Sequence, residues 1–377
     1  MSEKKFRVGV IGAGMIANAA LLPAFKNVDN RASLVAIADT RIDSARDTAA
    51  RFDVQGVYDD PQKMLDEMDL DLVVVCAPNN YHKMWTIAAL RAGCHVICEK
   101  PITVTYRDAA EMYDEADKAG KNLFVSQNKR FDDVIISAKR ICKSGRIGEP
   151  YFAEIGLIRR RGVPTWGFFH KKEDNFGGPF CDLGVHFIDC LLYLTGNPKI
   201  KSVHGKAWTK IAHKREDIET SLAESGATLG VFTPRAFNVD EFNVEDMCAG
   251  LIRFENELLI NFKFSWAVNL PNHTVMHIAG TEGGIQINPE LKVFTNQDGF
   301  QVEITPHNIV RDNYATRTTF PGHWKLVEHI IDVLDGKCEC IIKKEEILNT
   351  AGAIEAFYIS TKQDRDVLLT ELAGYPA

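Results

Sequence analysis

The chain has 377 residues, of which 45% are hydrophobic and 25% charged, and its net charge is −7. This length favours two domains, the composition is that of an ordinary globular protein, and the negative charge argues against nucleic acid as a partner. No apolar run is long enough to cross a membrane. The nine cysteines, with no CxxC pair, indicate reduced thiols and no zinc ribbon, so no metal site is expected.

The first predicted strand begins at about Phe6, which leaves no room for a signal peptide. We therefore expect a cytoplasmic protein with no membrane partner.

Strand-like and helical runs alternate through residues 1–130. The strand candidates are FRVGVIG, SLVAIAD, LDLVVVCAP, CHVICEKP and NLFV, and helical patterns such as IDSARDTAARFD, NYHKMWTIAALRAG and RDAAEMYDEADKAG separate most of them. Alternation of this kind is typical of a parallel sheet with right-handed crossovers. It predicts an N-terminal doubly wound domain over 1–130.

The pattern changes over residues 131–377. After a helix at DDVIISAKRICKSGRIG and a strand at YFAEIGLIRRR, the strand candidates are KSVHGKAWTK, DMCAGLIRF, ELLINFKFSWA, TVMHIAG, GGIQI, LKVFT and FQVEIT. No helical pattern lies between these strands, and two helices close the chain. This predicts an α+β domain with an open, largely antiparallel sheet. The polar stretch 214–243 is interpreted as a loop or insertion of unknown role.

A glycine loop follows the first strand. Gly12, Gly14 and Ala17 form G-x-G-x-x-A between a strand and a helix, the context that indicates dinucleotide binding. Gly12 permits the turn, Gly14 admits a pyrophosphate and Ala17 allows close packing. Asp39 closes the second strand and can accept hydrogen bonds from the ribose hydroxyls of NAD, whereas a 2′-phosphate would be repelled. Arg41 softens that repulsion, so NADP is the less favoured cofactor.

Lys100 stands at the end of a buried strand, in the sequence Glu99-Lys100-Pro101. An exposed lysine is the usual explanation of such a position. The carboxyl edge that it shares with the glycine loop favours a role in the site instead. Asn79 and Asn80 follow the neighbouring strand at the same edge, where they can serve the ligand and also cap the next helix.

A second constellation lies in GGPFCDLGVHFIDCLLYLTG, where the pattern is helical from about Pro179 to Leu194. Asp182 and His186 are four residues apart, about one helical turn, and so share a face. Histidine is a natural proton acceptor from an alcohol, and a carboxylate one turn away fixes the ring or binds a hydroxyl. A core histidine beside a helix-start aspartate is the alternative. The diglycine before the helix favours a site, because it lets backbone and ligand approach.

Together these motifs resemble the Gfo/Idh/MocA family of oxidoreductases, over nearly the whole chain. The resemblance rests on GAGMIA, on EKP and on the diglycine that leads into D-x-x-x-H, although Pro179 stands where the family usually has a third glycine. It implies a Rossmann domain, a C-terminal sheet that builds homo-oligomers, and oxidation of a secondary hydroxyl of a sugar, glycoside or inositol. Lys100 would stabilise the oxygen, His186 would take the proton, Asp182 would orient the histidine or a hydroxyl, and hydride would pass to the nicotinamide.

The predicted site has three groups of residues. The catalytic residues are Lys100, Asp182 and His186. The cofactor-binding residues are Gly12, Gly14, Met15, Ile16, Asp39, Thr40, Arg41, Ala77, Asn79, Asn80, His82, Glu99, Lys100 and Gln127. The substrate-binding residues are Lys100, Arg130, Arg160, Trp166, Asp182 and His186.

Two further features leave alternatives open. The arginine- and aromatic-rich segment 159–178 is either a pocket wall or an oligomer contact. His323 and Trp324 begin a helix that caps the pocket or, the simpler interpretation, packs on the sheet.

His273 and His277 are interpreted as structural, because no third ligand is near in sequence.

Three functions compete. An NAD-dependent sugar or polyol dehydrogenase is favoured. The alternatives are a glycosidase that works by C3 oxidation and elimination, and a non-catalytic NAD-binding sensor or corepressor. Retention of Lys100 and of the Asp182/His186 pair argues against the sensor, which has no use for a proton relay.

Overall fold

The computed structural model describes residues 5–214, 237–307, 309 and 313–376. Most of the predicted loop or insertion at 214–243 therefore lies outside the described residues. No helix in the described residues has the length and apolarity needed to cross a bilayer.

Six parallel strands form the first sheet, in the order β3-β2-β1-β4-β5-β6. The strands are β1 (Phe6–Ile11), β2 (Ala32–Ala38), β3 (Gly56–Tyr58), β4 (Leu72–Val75), β5 (His95–Cys98) and β6 (Leu123–Val125). The helices that connect them are α1 (Leu22–Asn27), α2 (Ile42–Phe52), α3 (Pro61–Glu67), α4 (His82–Arg91) and α5 (Tyr106–Ala119). Every residue of β4 is buried, as its uninterrupted apolar run requires when helices cover both faces. The strand order reverses at β1, and ligands bind at the carboxyl ends of strands beside such a reversal.

Nine strands form the second sheet, in the order β14-β13-β12-β11-β7-β10-β9-β8-β15. They are β7 (Pro150–Ile158), β8 (Ile200–Trp208), β9 (Met247–Phe254), β10 (Leu259–Ser265), β11 (His273–Gly280), β12 (Gly283–Asn288), β13 (Lys292–Gln297), β14 (Phe300–Ile304) and β15 (Val367–Leu368). Among the described strands of this second sheet, only β7 and β10 pair in parallel. The predicted fold class, a Rossmann sheet followed by an open and largely antiparallel sheet, is confirmed.

The second sheet has one buried face and one half-buried face. The remaining helices of the chain are α6 (Asp133–Lys143), α7 (Lys172–Asn175), α8 (Val185–Thr195), α9 (Tyr314–Arg317), α10 (Pro321–Leu334) and α11 (Lys344–Gln363). Of these, α8 packs on β7 and α11 packs on β8. One row of paired residues across the sheet is buried: Ala153, Ile260, Ile252, Val203 and Ile278. The adjacent row is only half-buried: Glu154, Asn261, Leu251, His204 and His277.

A helix from near the end of the chain completes the core of the first sheet. Helix α10 contributes Leu326, Val327, Ile330 and Ile331 to the same hydrophobic cluster as β1, β4 and β5. The predicted boundary at 130/131 falls between β6 and α6, but this return crossing brings residues 321–334 back onto the first domain. The start of α10 is thereby placed near the carboxyl edge of the first sheet.

Candidate active site

A cavity of about 900 Å³ opens at the carboxyl ends of β1, β2, β4 and β5. Its wall is shared by both sheets, because β7, β11, the segment before α8 and the start of α10 also contribute residues. The cavity is large enough for a cofactor and a small ligand to lie side by side.

The glycine loop lines one end of the cavity. Gly12 has φ +99°, and a Cβ there would lie 2.6 Å from the Cys76 carbonyl oxygen, so the turn requires glycine. A Cβ on Gly14 would meet nothing within 4 Å, which leaves the loop open on its cavity side. Met15 and Ile16 also line the cavity. The predicted helix that follows begins as a π-turn at Ala17–Leu21 before α1.

Asp39 faces this loop from the end of β2. Its Oδ2 accepts a hydrogen bond from the Ala13 N–H at 2.9 Å, and its Oδ1 accepts one from the Arg41 N–H at 2.8 Å. Each carboxylate oxygen retains a lone pair for a further donor. Thr40 and Arg41 line the cavity beside it. The open glycine loop at a helix start fits the pyrophosphate of a dinucleotide. The Asp39 carboxylate, which can still accept hydrogen bonds from hydroxyl groups, fits its ribose.

His82 joins the two loops that follow β4 and β5. Its ring is 1% exposed, with Nδ1 2.8 Å from the Pro101 oxygen and Nε2 2.9 Å from the Ala77 oxygen. Burial and the nearby Lys100 charge hold the pKa of His82 below its usual value, against the pull of the two carbonyls. Ala77 and Asn79 line the cavity at the same edge.

Lys100 follows β5, and its side chain contacts Asp182, which the sequence places in the same catalytic group. Its Nζ donates to Oδ1 and to the backbone oxygen of Asp182, both at 3.0 Å, and each side chain of the pair is 16% exposed. Glu99 anchors the backbone here by accepting from the Lys100 N–H at 3.2 Å. Burial raises the pKa of Glu99, although Ser126 and Lys100 oppose the shift. Its other oxygen is buried and has no partner among the described residues.

Asp182 lies in a π-turn, Phe180–Gly184, that leads into α8. The predicted uninterrupted α-helix over 179–194 is therefore wrong in its first turn, where the wider turn changes the direction of each side chain. π-turns are often found at functional sites. Asp182 also accepts a hydrogen bond from Trp266 Nε1 at 3.2 Å, so each of its carboxylate oxygens has one donor. That Asp182 orients the His186 ring or a substrate hydroxyl stays a prediction.

Two cations set the charge of Asp182. Burial alone would raise the pKa of its carboxyl group, but Lys100, Arg159 and the hydrogen bond from Trp266 hold that pKa below its usual value. Asp182 is therefore an anion at neutral pH and forms an ion pair with Lys100.

The diglycine before this turn makes room for protein atoms. A Cβ on Gly177 would lie 1.8 Å from the Tyr358 hydroxyl oxygen, and a Cβ on Gly178 would lie 2.1 Å from the Glu245 backbone oxygen. The Glu245 carboxylate accepts hydrogen bonds from the Gly178 and Phe180 N–H groups at 2.9 and 3.2 Å. The predicted close approach of a ligand is therefore replaced by a close approach of Tyr358 and Glu245, which fixes the start of the turn.

His186 lines the cavity one turn after Asp182. Its Nδ1 is buried and has no partner in the part of the chain that is described. Burial, followed by the charges of Lys100, Lys129 and His323, holds the pKa of His186 well below 6.5. The ring is therefore neutral at neutral pH and is able to accept a proton.

Four predicted site residues lie elsewhere. Arg130 has no exposed surface and donates to Asp189 at 2.5 and 2.8 Å, to Glu346 and to the Ile341 oxygen, so it is a buried structural cation and not a substrate ligand. Arg160 is on the surface, with its backbone N–H bonded to Asn272.

The Asn80 amide donates to the backbone oxygens of Lys172 and Glu173 and is directed away from the cavity. Gln127 is 2% exposed and lies behind the wall, where its buried Oε1 has no described partner. In both cases the strand end has the predicted position, but the side chain takes a different direction.

The structure also adds residues to the predicted set. Arg159 lines the cavity where Arg160 was expected, and burial lowers its pKa against the attraction of Asp182. Trp266 reaches the site from the end of β10, and no local motif signals it. Trp166 and Phe169 line the cavity with their rings in edge contact, 5.6 Å apart, which supports the pocket-wall interpretation of this segment. His323 lines the cavity as well, while its helix α10 packs on the first sheet, so the two interpretations of this segment hold together.

Comparisons with known proteins agree with this geometry. The profile described as "Oxidoreductase family, NAD-binding Rossmann fold" matches residues 6–127, and the Gfo/Idh/MocA C-terminal domain matches 135–286. The chain belongs to the Gfo/Idh/MocA family. It is accordingly an NAD-binding oxidoreductase, and the predicted family, enzyme class and cofactor are confirmed.

Similar proteins include sugar and polyol dehydrogenases. D-glucoside 3-dehydrogenase of Escherichia coli (strain K12) is 32% identical over 96% of this chain and 97% of that protein. Myo-inositol 2-dehydrogenase of Thermotoga maritima is 33% identical over 50% of this chain and 55% of that protein. A solved levoglucosan dehydrogenase, in complex with NADH and levoglucosan, has a TM-score of 0.78 at 21% identity and covers 97% of this chain and all of that one, which shows a shared fold.

No group of three or more His, Cys, Asp or Glu side chains within the described ranges is arranged to hold a metal ion.

Proposed function

We propose that this protein oxidises a secondary hydroxyl of a sugar or glycoside, at ring carbon C3, to a ketone. The observation that carries the proposal is the 3.0 Å contact between Lys100 Nζ and Asp182, with His186 beside it, in the same cavity as the glycine loop. The similarity to D-glucoside 3-dehydrogenase over nearly the full chain supports the choice of C3.

Lys100 and His186 have different tasks in this proposal. His186 is neutral at neutral pH, because burial and nearby cations hold its pKa down, so its ring is ready to take the hydroxyl proton. Lys100 stabilises the negative charge that develops on the same oxygen, which a fixed cation does well in a cavity with little water. Asp182 holds the Lys100 ammonium in place and leaves His186 free to turn toward the substrate.

The residues that would hold NAD are those that line the other end of the cavity. They are Gly12, Gly14, Met15, Ile16, Asp39, Thr40, Arg41, Ala77, Asn79 and Glu99. When bound, NAD supplies the hydride acceptor. The chain provides an open loop for the pyrophosphate and a carboxylate for the ribose.

The sugar would lie against the aromatic wall. Trp166, Phe168 and Phe169 present rings to the cavity, and such rings suit the apolar face of a pyranose. Arg159 lies beside Asp182 on the same side, where a guanidinium serves ring hydroxyls. This wall replaces the predicted substrate residues Arg130 and Arg160.

We also propose that the protein forms a homo-oligomer through its second sheet. Its half-buried face, together with large apolar side chains that are exposed at Tyr151, Trp208 and Phe294, offers a surface for a second copy. A light-scattering mass equal to that of one chain at micromolar concentration would contradict this.

The test of the function is reduction of NAD across methyl glucosides, free hexoses and inositols. We expect reduction with a methyl glucoside and none with its 3-deoxy analogue, which is a matched control that lacks only the reacting hydroxyl. A glucoside that carries deuterium on C3 should deliver that label to the reduced cofactor. Equal rates with the 3-deoxy sugar, or unlabelled cofactor, would reject C3 oxidation. Release of nitrophenol from a nitrophenyl glucoside without accumulation of NADH would favour elimination instead.

A further inference from the structure

His323 occupies an unusual environment at the start of α10. Its side chain is 5% exposed, it lines the active-site cavity, and its Nδ1 is buried without a partner in the described structure. Burial, with the charges of Lys129 and Lys100, lowers the pKa of His323 to about 3. The ring is therefore neutral at the pH of the cell.

A neutral imidazole has one N–H donor and one nitrogen lone pair. Leaving such groups buried and unpaired is costly, and most buried polar atoms in native proteins have a partner. Phe320 contacts the ring edge-on, with centroids 5.7 Å apart, but an aromatic ring does not replace these hydrogen bonds. A ligand in the cavity is the candidate for the missing partner, because His323 lines that cavity.

The position of His323 identifies the kind of partner. His323 and His186 both line the same cavity. His186 Nδ1 also has no partner within the described chain. Each imidazole ring needs a partner that can donate or accept a hydrogen bond. A hydroxyl group can do either, and it adds no charge.

We propose that His323 determines substrate specificity by binding a second hydroxyl of the same sugar whose first hydroxyl is oxidised at Lys100 and His186. This rests on the proposed function and extends it: the substrate must be a polyol in which two ring hydroxyls face two neutral imidazoles. A Cβ on the preceding Gly322 would lie 2.7 Å from the Asn128 backbone oxygen, so the start of α10 packs closely against Asn128.

Two substitutions separate binding from packing. His323→Phe keeps a ring of similar size but removes both polar nitrogens, whereas His323→Gln keeps a donor and an acceptor. His213→Phe is the matched control, because His213 is exposed and does not line the cavity. Each variant is assayed with NAD on a methyl glucoside and on its 2-deoxy, 4-deoxy and 6-deoxy analogues.

For His323→Phe we expect kcat/KM on the parent glucoside to fall about tenfold to a hundredfold, mainly through KM, because one hydroxyl contact is lost. On one deoxy analogue the wild type and the variant should be equal, since the partner hydroxyl is already missing. His323→Gln should recover most of the loss, and His213→Phe should match the wild type.

Equal activity of His323→Phe and wild type on the parent sugar would overturn the proposal. So would the same loss on all three deoxy analogues, which would indicate only disturbed packing. If the wild type neither oxidises nor binds any sugar of the panel, as judged by the fluorescence of bound NADH, the proposed function fails and this inference fails with it. If only the proposal for His323 is wrong, the wild type still oxidises the sugar, so the two outcomes are distinguishable.

Discussion

Two buried clusters of charged and polar side chains share helix α8 and the turn before it, and they differ in how completely their polar atoms are paired. We call Arg130, Asp189 and Glu346 the structural cluster, and Lys100, Asp182, His186 and His323 the active-site cluster. In the structural cluster Arg130 donates to two carboxylates and one backbone oxygen, with no exposed surface. In the active-site cluster both histidines retain buried nitrogens without a partner in the described residues.

This difference shows how a buried charge can be assigned a role. Burial of a charge is tolerated when every donor finds an acceptor, and such a cluster has nothing left to offer a ligand. A cluster with unpaired atoms in residues that line a cavity bears a cost that ligand binding can relieve. Asp182 and Asp189 are only seven residues apart, yet they belong to opposite classes.

The largest expected effect is on turnover in the active-site cluster. Lys100→Met and His186→Ala should each lower kcat by roughly a hundredfold to ten-thousandfold, because charge stabilisation or proton transfer is lost. NAD binding, measured by calorimetry, should remain. Lys83→Met is the matched control, since Lys83 pairs with Asp108 and Glu111 on the surface away from the cavity wall. Near-normal turnover of either active-site variant would refute its role.

The next effect is on stability and should follow the structural cluster. Arg130→Met leaves Asp189 and Glu346 buried without their cation, so the free energy of unfolding should fall by about 3–5 kcal/mol. Lys100→Met should cost clearly less, because Asp182 keeps the hydrogen bond from Trp266 and the nearby charge of Arg159. Urea titrations of both variants measure the comparison. A larger loss for Lys100→Met would reverse our assignment of the two clusters.

The same pair of clusters shows what sequence reasoning can and cannot reach. Local signals in the sequence predict the strands, the glycine loop, the strand-end lysine and the D-x-x-x-H pair. The residues of the last three line the cavity. Lys100 and Arg130 gave similar signals, since both are cations near strand ends at one edge. Their side chains diverge because Asp189 and Glu346, which attract Arg130, come from helices distant in sequence.

Other details depend on equally remote partners. The diglycine is explained by Glu245 and Tyr358, which lie more than sixty residues away. The π-turn at Phe180–Gly184 is not visible in a spacing that suits an α-helix equally well. His323 reaches the cavity only because α10 returns to the first sheet.

A smaller effect is expected in cofactor choice. Asp39→Asn keeps an oxygen to accept from the Ala13 N–H but removes the charge that repels a 2′-phosphate. The ratio of the NAD and NADP dissociation constants should shift toward NADP by about tenfold, equivalent to about 1.4 kcal/mol. Fluorescence titration with both reduced cofactors measures the ratio. An unchanged ratio would mean that Asp39 does not meet the ribose.

The smallest effect is a displacement of the pH profile. Activity requires neutral His186, so kcat/KM falls as the pH drops through the pKa of that ring. Because burial and the charge of Lys100 lower this pKa, the acid limb should have its midpoint below pH 6.5. Lys100→Met removes one of these cations, so the midpoint should move upward in whatever activity remains. An acid limb above pH 7 in the wild type would contradict a neutral, buried base.

The most direct test of the central claim is a crystal structure of the wild type with NADH and a methyl glucoside. Our account predicts one ring hydroxyl oxygen within about 3.2 Å of both the Lys100 ammonium and the His186 ring. A sugar that occupies the cavity with no hydroxyl near either side chain, or that binds outside it, would contradict the account.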